Sequence, residues 1–269
     1  MRKNYTYLFS FFLTLCFSLH SEIEKEKIKN IIEKNKNAVV NVKIIMKQWM
    51  VLGGQETPKE EVKYDITGTF ISPEGILIAS SFASDIITKT MENFNDNKFR
   101  FKSELMNVKI VLPNGKEIDG KIILKDEKLD FLFIKPISEE KSLFNAVDLK
   151  NTEDAEIGDD AIFLFRLAEL WNRETVFFVS KISGIIEKPK KSYIMDIFLN
   201  NNYSISLLGC PVFSKNGKLL GITVMKTKKV TSPSTESLFF SPFGSLMSNY
   251  LPVIIPAKEI EEVLNQGIK

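Results

Sequence analysis

Hydrophobic residues recur along the chain with two spacings, one typical of helices and one typical of strands. The charged stretch 22–37 places its isoleucines on one helical face, which predicts a short amphipathic helix. The next stretch, 38–46, changes to β-branched residues and predicts a strand. Near the other end, 256–265 places its aliphatic residues on one face, so a second amphipathic helix is predicted there.

Between these helices the pattern predicts short strands joined by tight turns. Asn114-Gly115 and Asn216-Gly217 are hairpin turn pairs, and Ser72-Pro73-Glu74-Gly75 has proline and glycine where a β-turn wants them. The predicted strands are 38–46, 67–72, 76–80, 108–112, 117–123, 131–135, 160–165, 175–186, 193–199, 212–213 and 219–225. We predict loops at 48–65 and 232–250, and a helical turn with a surface insertion at 85–104. This pattern indicates a mostly β protein with two barrels or sandwiches.

The first 21 residues have the pattern of an export signal. Arg2 and Lys3 precede an apolar run, 7–15, that is too short to span a bilayer as a helix. Cleavage after Ser18 or Ser21 competes with a lipobox interpretation of 13–16, in which Cys16 would carry a lipid. We therefore expect an exported protein, periplasmic or secreted, with no integral membrane span after signal removal.

The only histidine of the chain lies in this same segment. Cleavage after Ser21 removes His20, whereas cleavage after Ser18 or at the lipobox leaves it near the new N-terminus. Where it is retained, His20 lies ahead of the first predicted helix, away from the predicted strands. Any chemistry that needs a placed imidazole is therefore not expected in this protein.

Charge and cysteine content exclude several further functions. The chain has 36 basic and 34 acidic residues, and removal of Arg2 and Lys3 leaves 34 of each. A neutral chain without a basic stripe is a poor nucleic-acid binder. Loss of Cys16 leaves Cys210 without a disulfide partner, and one cysteine without a placed histidine does not favour a zinc site. We expect no metal and no cofactor.

Five stretches, in order and spacing, resemble the protease domain of HtrA-type serine proteases, members of the chymotrypsin-like family. They are 38–42, 68–77, 111–117 followed by 128–132, 209–213 followed by 216–222, and 255–257. The resemblance covers roughly 30–266 and leaves no room for the PDZ domain that usually follows in these enzymes. It implies two chymotrypsin-like six-stranded antiparallel β-barrels, the first within 22–146 and the second within 147–269, with a short N-terminal helix and a C-terminal helix.

The resemblance also identifies the positions that carry the family's chemistry. A serine attacks, a histidine takes its proton, an aspartate orients the histidine, and backbone amides hold the oxyanion. The positions that match histidine, aspartate and serine are Phe82, Asp130 and Leu208. The oxyanion-loop equivalents are Gly209, Cys210 and Pro211. Neither phenylalanine nor leucine can take part in proton transfer or nucleophilic attack, so the resemblance implies a degenerate triad.

Three functional hypotheses follow. The first is a pseudoprotease that binds protein or unfolded polypeptide, or acts as a scaffold, in the cell envelope, with the Phe-rich segment 238–243 as a candidate contact surface. The second is an active endopeptidase with a non-standard site that uses Cys210, or a serine such as Ser204 or Ser206, with Asp130. The third is a structural envelope protein without affinity for unfolded substrates.

Overall fold

The protein is mostly β, with thirteen strands among the described residues. The computed structural model describes residues 24–91, 99–137, 144–199, 205–227 and 250–267. The strands before residue 150 are β1 Val39–Leu52, β2 Gln55–Glu56, β3 Glu60–Phe70, β4 Leu77–Ser80, β5 Phe99–Val111, β6 Glu117–Asp126 and β7 Phe131–Pro136. Those after it are β8 Asp160–Arg166, β9 Thr175–Ile186, β10 Ser192–Met195, β11 Pro211–Ser214, β12 Leu219–Thr227 and β13 Tyr250–Pro256.

Two closed six-stranded antiparallel barrels account for these strands. In the first barrel the strand order is β1-β3-β4-β7-β6-β5, and pairing of β1 with β5 closes the ring. The two-residue strand β2 pairs only with the end of β1. In the second the order is β10-β13-β12-β11-β8-β9, closed by pairing of β9 with β10. Because closure removes most sheet edges, each barrel buries its own apolar interior. This is the chymotrypsin-like double-barrel arrangement that the sequence predicts.

Five helices flank or interrupt the barrels in the described ranges. They are α1 24–35, α2 Ser81–Ser84, α3 Ile86–Met91, α4 Asp196–Leu199 and α5 Ala257–Gly267. The inward residues of the two longer helices, Ile31 of α1 and Ile260 of α5, are buried in the same hydrophobic cluster as residues of both barrels. Both amphipathic helices are therefore confirmed, and none of the helices in this part of the chain is long and apolar enough to cross a membrane.

Four of the local predictions are wrong. The segment 48–65 was expected to be a loop, but β1 continues to Leu52 and β3 begins at Glu60. Its polar residues form cross-strand pairs such as Gln48 with Glu60, so these polar strands resemble a loop in composition. The strand predicted at 193–199 ends at Met195 and is followed by α4. The surface insertion predicted within 85–104 includes 99–104, which belong to β5, and β13 was not predicted at all.

Candidate functional site

The end of β4 turns into a short helix that buries Phe82 beside the second barrel. The Ser80 hydroxyl accepts a hydrogen bond from the Ala83 N–H at 3.1 Å, a typical contact at the N-terminus of a helix. The helical turn that follows buries the Phe82 ring, whose centroid lies 4.9 Å from that of Tyr250 in β13. An aromatic pair therefore occupies the place where the family resemblance implies an imidazole.

Asp130 lies directly against this turn, at the start of β7. Its φ of 62° is left-handed, a conformation that aspartate tolerates better than most residues. One carboxylate oxygen accepts from the Phe82 N–H at 2.5 Å, and the other accepts from the Ser80 hydroxyl at 2.5 Å and from the Met225 N–H at 2.8 Å. Met225 belongs to β12, so this one carboxyl group joins the two barrels.

The environment of Asp130 opposes its ionisation. Burial raises the pKa of the carboxyl from 3.8 to about 7, against the opposite effects of the Ser80, Met225 and Phe82 hydrogen bonds and of the Lys89 charge. Desolvation thus has the larger effect on the pKa, although three donors favour the anion. All three donors are supplied by the protein fold, and the carboxyl has a structural role that needs no imidazole.

Leu208 completes the set of positions identified by the resemblance. It follows a 3-10 turn, Ile205–Leu207, and is buried in one hydrophobic cluster with Phe82, Met225 and Tyr250. The structure therefore brings Phe82, Asp130 and Leu208 together where the two barrels meet. The side chains of Phe82 and Leu208 are hydrocarbon, so neither can act as a nucleophile or as a base.

The backbone amides of the next loop are already occupied. The N–H of Leu208 donates to the Ile205 carbonyl at 3.0 Å, and that of Gly209 donates to the Thr223 carbonyl at 2.7 Å. The Cys210 N–H donates to the Thr223 hydroxyl at 3.0 Å, and Pro211 has no N–H to offer. The four residues 208–211 therefore present no amide to an oxyanion.

Gly209 sets the shape of this loop by a close backbone contact. Its φ is +86°, and a Cβ placed there would lie 2.2 Å from the Thr67 carbonyl oxygen. The Thr69 hydroxyl donates to the Gly209 carbonyl at 2.7 Å. Only glycine permits this approach, so the glycine predicted as part of an oxyanion loop has a structural reason to be present.

Cys210 is the side chain on which the alternative peptidase hypothesis depends. Its exposed fraction is 0%, and burial raises the pKa of its thiol far above the ordinary value. A thiolate is the reactive form of cysteine, and it forms at partly exposed, electropositive positions. Cys210 has neither property in this structure and packs inside the second barrel.

Several of the predicted functional residues fall outside the described part of the chain. These are Cys16, His20, Ser204 and the segment 238–243, and nothing is described of the Ser206 side chain. Since His20 is the only histidine, no described residue carries an imidazole. In the described ranges no group of three or more His, Cys, Asp and Glu residues is arranged to hold a metal ion.

Sequence reasoning missed Met225, Tyr250 and Thr223 as parts of this site. Met225 donates a backbone N–H across 95 positions of sequence, a role that leaves no trace in the residue type. Thr223 accepts from the Cys210 amide and donates to the Leu207 carbonyl through one hydroxyl. A threonine inside an apolar strand was the only available signal, because a buried hydroxyl needs partners.

The fold that these barrels define is a chymotrypsin-like double barrel, in which the positions that the resemblance matches to histidine, aspartate and serine hold Phe82, Asp130 and Leu208. No protein-family model matches the chain, and a search of curated proteins finds no match.

Proposed function

We propose that this protein has no peptidase activity and acts by binding polypeptide. The observation that carries the proposal is the packed site, in which Phe82 and Leu208 are buried in one hydrophobic cluster. The Asp130 carboxyl already accepts hydrogen bonds from three donors of the fold. Phenylalanine and leucine supply neither the nucleophile nor the base that acyl transfer needs in contact.

An apolar strand edge supports polypeptide binding as the remaining activity. β9 pairs with β8 along 175–181, whereas β10 pairs with β9 only along 182–186. No described strand therefore covers the other edge of 175–181. Phe177 and Val179 lie there on one strand face with exposed fractions of 45% and 47%. An extended peptide can add to such an edge, with backbone hydrogen bonds for affinity and side-chain contacts for specificity.

A turn next to this strand extends the apolar surface. Leu170 and Trp171, in the turn between β8 and β9, have exposed fractions of 82% and 63%. Exposed aromatic and aliphatic side chains grouped on one surface are typical of protein-binding sites. On the opposite face of β9, Phe178 stacks on Phe163 with 5.4 Å between ring centroids, which anchors the strand.

Origin and location are part of the same proposal. The order of the sequence stretches and the double barrel support descent from HtrA-type proteases by loss of the histidine and the serine. The N-terminal pattern supports export to the cell envelope, where a protein with an exposed apolar strand would meet unfolded polypeptides. A scaffold role in the envelope would use the same surface.

The decisive experiment separates catalysis from binding. We expect neither fluorophosphonate nor iodoacetamide to label the folded protein above the level of the Cys210→Ala and Ser206→Ala variants. We also expect no cleavage of casein, together with saturable binding of fluorescent unfolded casein measured by anisotropy. Labelling that is lost in Ser206→Ala, accompanied by casein turnover, would establish the peptidase hypothesis instead. Absence of both labelling and binding would favour the purely structural role.

A further inference from the structure

A groove of about 380 Å³ lies between helix α1 and the turn that joins β11 to β12. Its volume lies near the lower end of the range of about 300–1,000 Å³ typical of small-molecule sites. Three lysines, Lys27, Lys34 and Lys215, line it together with four asparagines, and no aspartate or glutamate is among its described lining residues. The groove therefore has a positive and hydrogen-bonding surface, and it shares no residue with the β9 edge.

The walls of this groove are held in place by packing and by backbone contacts. Ile31 of α1 is buried in the hydrophobic cluster that includes residues of both barrels. A Cβ placed at Gly217 would lie 3.3 Å from the Ile31 Cγ1 atom, so the turn closely approaches the helix. The Asn151 carbonyl accepts from the Leu219 N–H at 2.9 Å. The groove is therefore preformed, which lowers the entropic cost of binding a ligand.

The carboxylates nearest in sequence or contact to the groove are paired with lysines outside its lining. Glu33 of α1 pairs with Lys36 at 2.6 Å, and Glu153 pairs with Lys218 at 3.9 Å. Glu153 also accepts from the side-chain amide of Asn216 at 3.4 Å. Within the described ranges, the three ammonium groups that line the groove therefore have no carboxylate as an ion-pair partner.

Other lysines of the surface also lack ion pairs, but these three line a single concave site. Like charges gathered in one groove repel each other, whereas an anion placed among them is attracted by all three. Each contact between an ammonium group and an anionic oxygen is a charge-assisted hydrogen bond, which is stronger than a neutral one. The arrangement therefore favours an anion with several charges and several acceptor atoms.

We propose that this groove binds an organic phosphate that carries hydroxyl groups, with the phosphate on Lys27, Lys34 and Lys215. A phosphate group carries about −1.5 to −2 charge at neutral pH and has three strong acceptor oxygens. The hydroxyl groups lie on Asn30 and Asn151, because an asparagine side chain both donates and accepts hydrogen bonds. A free glycerol or sugar phosphate and the headgroup of a phosphoglycerol lipid offer the same chemistry.

Calorimetric titration of the full chain with glycerol 3-phosphate at low ionic strength tests this assignment. We expect saturable binding of glycerol 3-phosphate and none of glycerol. Inorganic phosphate should bind about two- to tenfold more weakly, since it lacks the hydroxyl groups that meet the two asparagines. Affinity for glycerol 3-phosphate should rise by about three- to tenfold from pH 5 to pH 7.5, because a phosphate ester loses its second proton near pH 6.

Substitutions of the lining residues locate the site. Lys27→Gln, Lys34→Gln and Lys215→Gln should each weaken binding about two- to fivefold, as expected for exposed ion pairs, and the triple variant should show no saturable binding. Lys116→Gln, in the exposed β5–β6 turn, is the matched control and should bind like the wild type. Asn30→Asp should weaken binding at least about fivefold, because its carboxylate would repel the phosphate.

Vesicles of phosphatidylglycerol, compared with vesicles of phosphatidylcholine, distinguish the two sources of phosphate. Binding of glycerol 3-phosphate assigns a free phosphate ester. Binding of phosphatidylglycerol vesicles alone, lost in the triple variant, assigns a lipid headgroup. Absence of binding to both, the same affinity in the triple variant and the wild type, or equal weakening by Lys116→Gln and Lys215→Gln would overturn the proposal.

Discussion

At the scale of single residues, backbone geometry rather than chemistry explains why the loop after Leu208 keeps its glycine. Gly209 and Gly115 have nearly the same φ, +86° and +82°. They differ in surroundings, because the Thr67 carbonyl oxygen would lie 2.2 Å from a Cβ at Gly209, whereas a Cβ at Gly115 would meet nothing within 4 Å. A comparison of alanine substitutions at these two glycines therefore separates the effect of left-handed strain from that of a steric clash.

We expect Gly209→Ala to lower the free energy of unfolding by about 1–3 kcal/mol more than Gly115→Ala. Both variants share the left-handed strain of about 1–2 kcal/mol, and only Gly209→Ala also forces two buried segments apart, at about 1–3 kcal/mol. Urea denaturation measures both values. Equal losses in the two variants would show that the loop can move away from Thr67.

The raised pKa of Asp130 predicts a pH dependence of stability. The pKa of this carboxyl is 3.8 in its ordinary state and about 7 in the folded protein. At pH values between these two, the folded protein keeps a proton that the unfolded chain releases. Stability should therefore fall as the pH rises through this window and level off above it. At about 1.4 kcal/mol per pH unit, the fall over this window amounts to roughly 4 kcal/mol.

Urea denaturation at intervals from pH 4 to pH 8 measures this fall. Asp130→Asn should lose it, because an amide does not titrate, while Asp119→Asn on the exposed face of β6 should retain it. The same pH profile for the wild type and Asp130→Asn would assign the dependence to other groups.

At the scale of elements, β9 combines a fixed face with an exposed edge. Phe178 is held by stacking on Phe163 and Phe165, while Phe177 and Val179 point away from that stack because side chains alternate along a strand. Natural edge strands are commonly protected by charged residues such as lysine. The exposed part of β9 instead carries three apolar residues in succession, Phe177–Val179, which supports the proposed role of this strand in polypeptide binding.

Placing lysines on this edge should weaken polypeptide binding. We expect the double variant Phe177→Lys, Val179→Lys to bind unfolded casein at least about tenfold more weakly, because loss of a few buried apolar contacts usually accounts for most of a binding energy. Its stability should change by less than about 1 kcal/mol, since both residues are half exposed.

Anisotropy titration measures the affinity, and Leu52→Lys, Leu105→Lys on the exposed end of the first barrel provides a matched control. Both control residues have similar exposure, 48% and 42%, and the variant adds the same charge. Equal weakening by the two double variants would show that binding follows net charge and not the β9 edge.

At the scale of the whole molecule, the barrels are joined by buried polar contacts as well as by hydrophobic packing. Arg166, the last residue of β8, donates to the carbonyls of Val39 at 2.9 Å, Lys36 at 2.9 Å and Arg173 at 2.8 Å. Asn41 of β1 donates back to the Arg166 carbonyl at 3.4 Å. Together with the Asp130 contact to Met225, these bonds fix how one barrel lies against the other.

We expect Arg166→Met to lower the free energy of unfolding by about 3–5 kcal/mol, because three carbonyls lose a charged donor in a buried position. Arg166→Lys should recover little of this, since an ammonium cannot reach three separate carbonyls as the planar guanidinium does. Chemical denaturation provides the measurement. Lys181→Met, which breaks an exposed ion pair with Asp160, should have a far smaller effect, and an equal effect would contradict the role of Arg166.

The sequence determined the local elements wherever the signal is local. Hairpin turns at Asn114-Gly115 and Asn216-Gly217 and the two amphipathic helices follow from backbone preference and from spacing, and the structure has them. The β-rich pattern and the family resemblance also predicted the two six-stranded barrels. Local signals failed at 48–65 and 251–255, where strand pairing with distant segments decides the backbone conformation.

What the sequence by itself determined about the site is the chemical identity of its residues: no histidine beyond His20, and phenylalanine and leucine at two matched positions. Only the tertiary structure decided that Asp130 accepts hydrogen bonds from donors of both barrels and that Cys210 is fully buried. The physical reason is that closure of the barrels brings distant segments together. Burial and hydrogen bonding depend on these neighbours, which residue type alone does not encode.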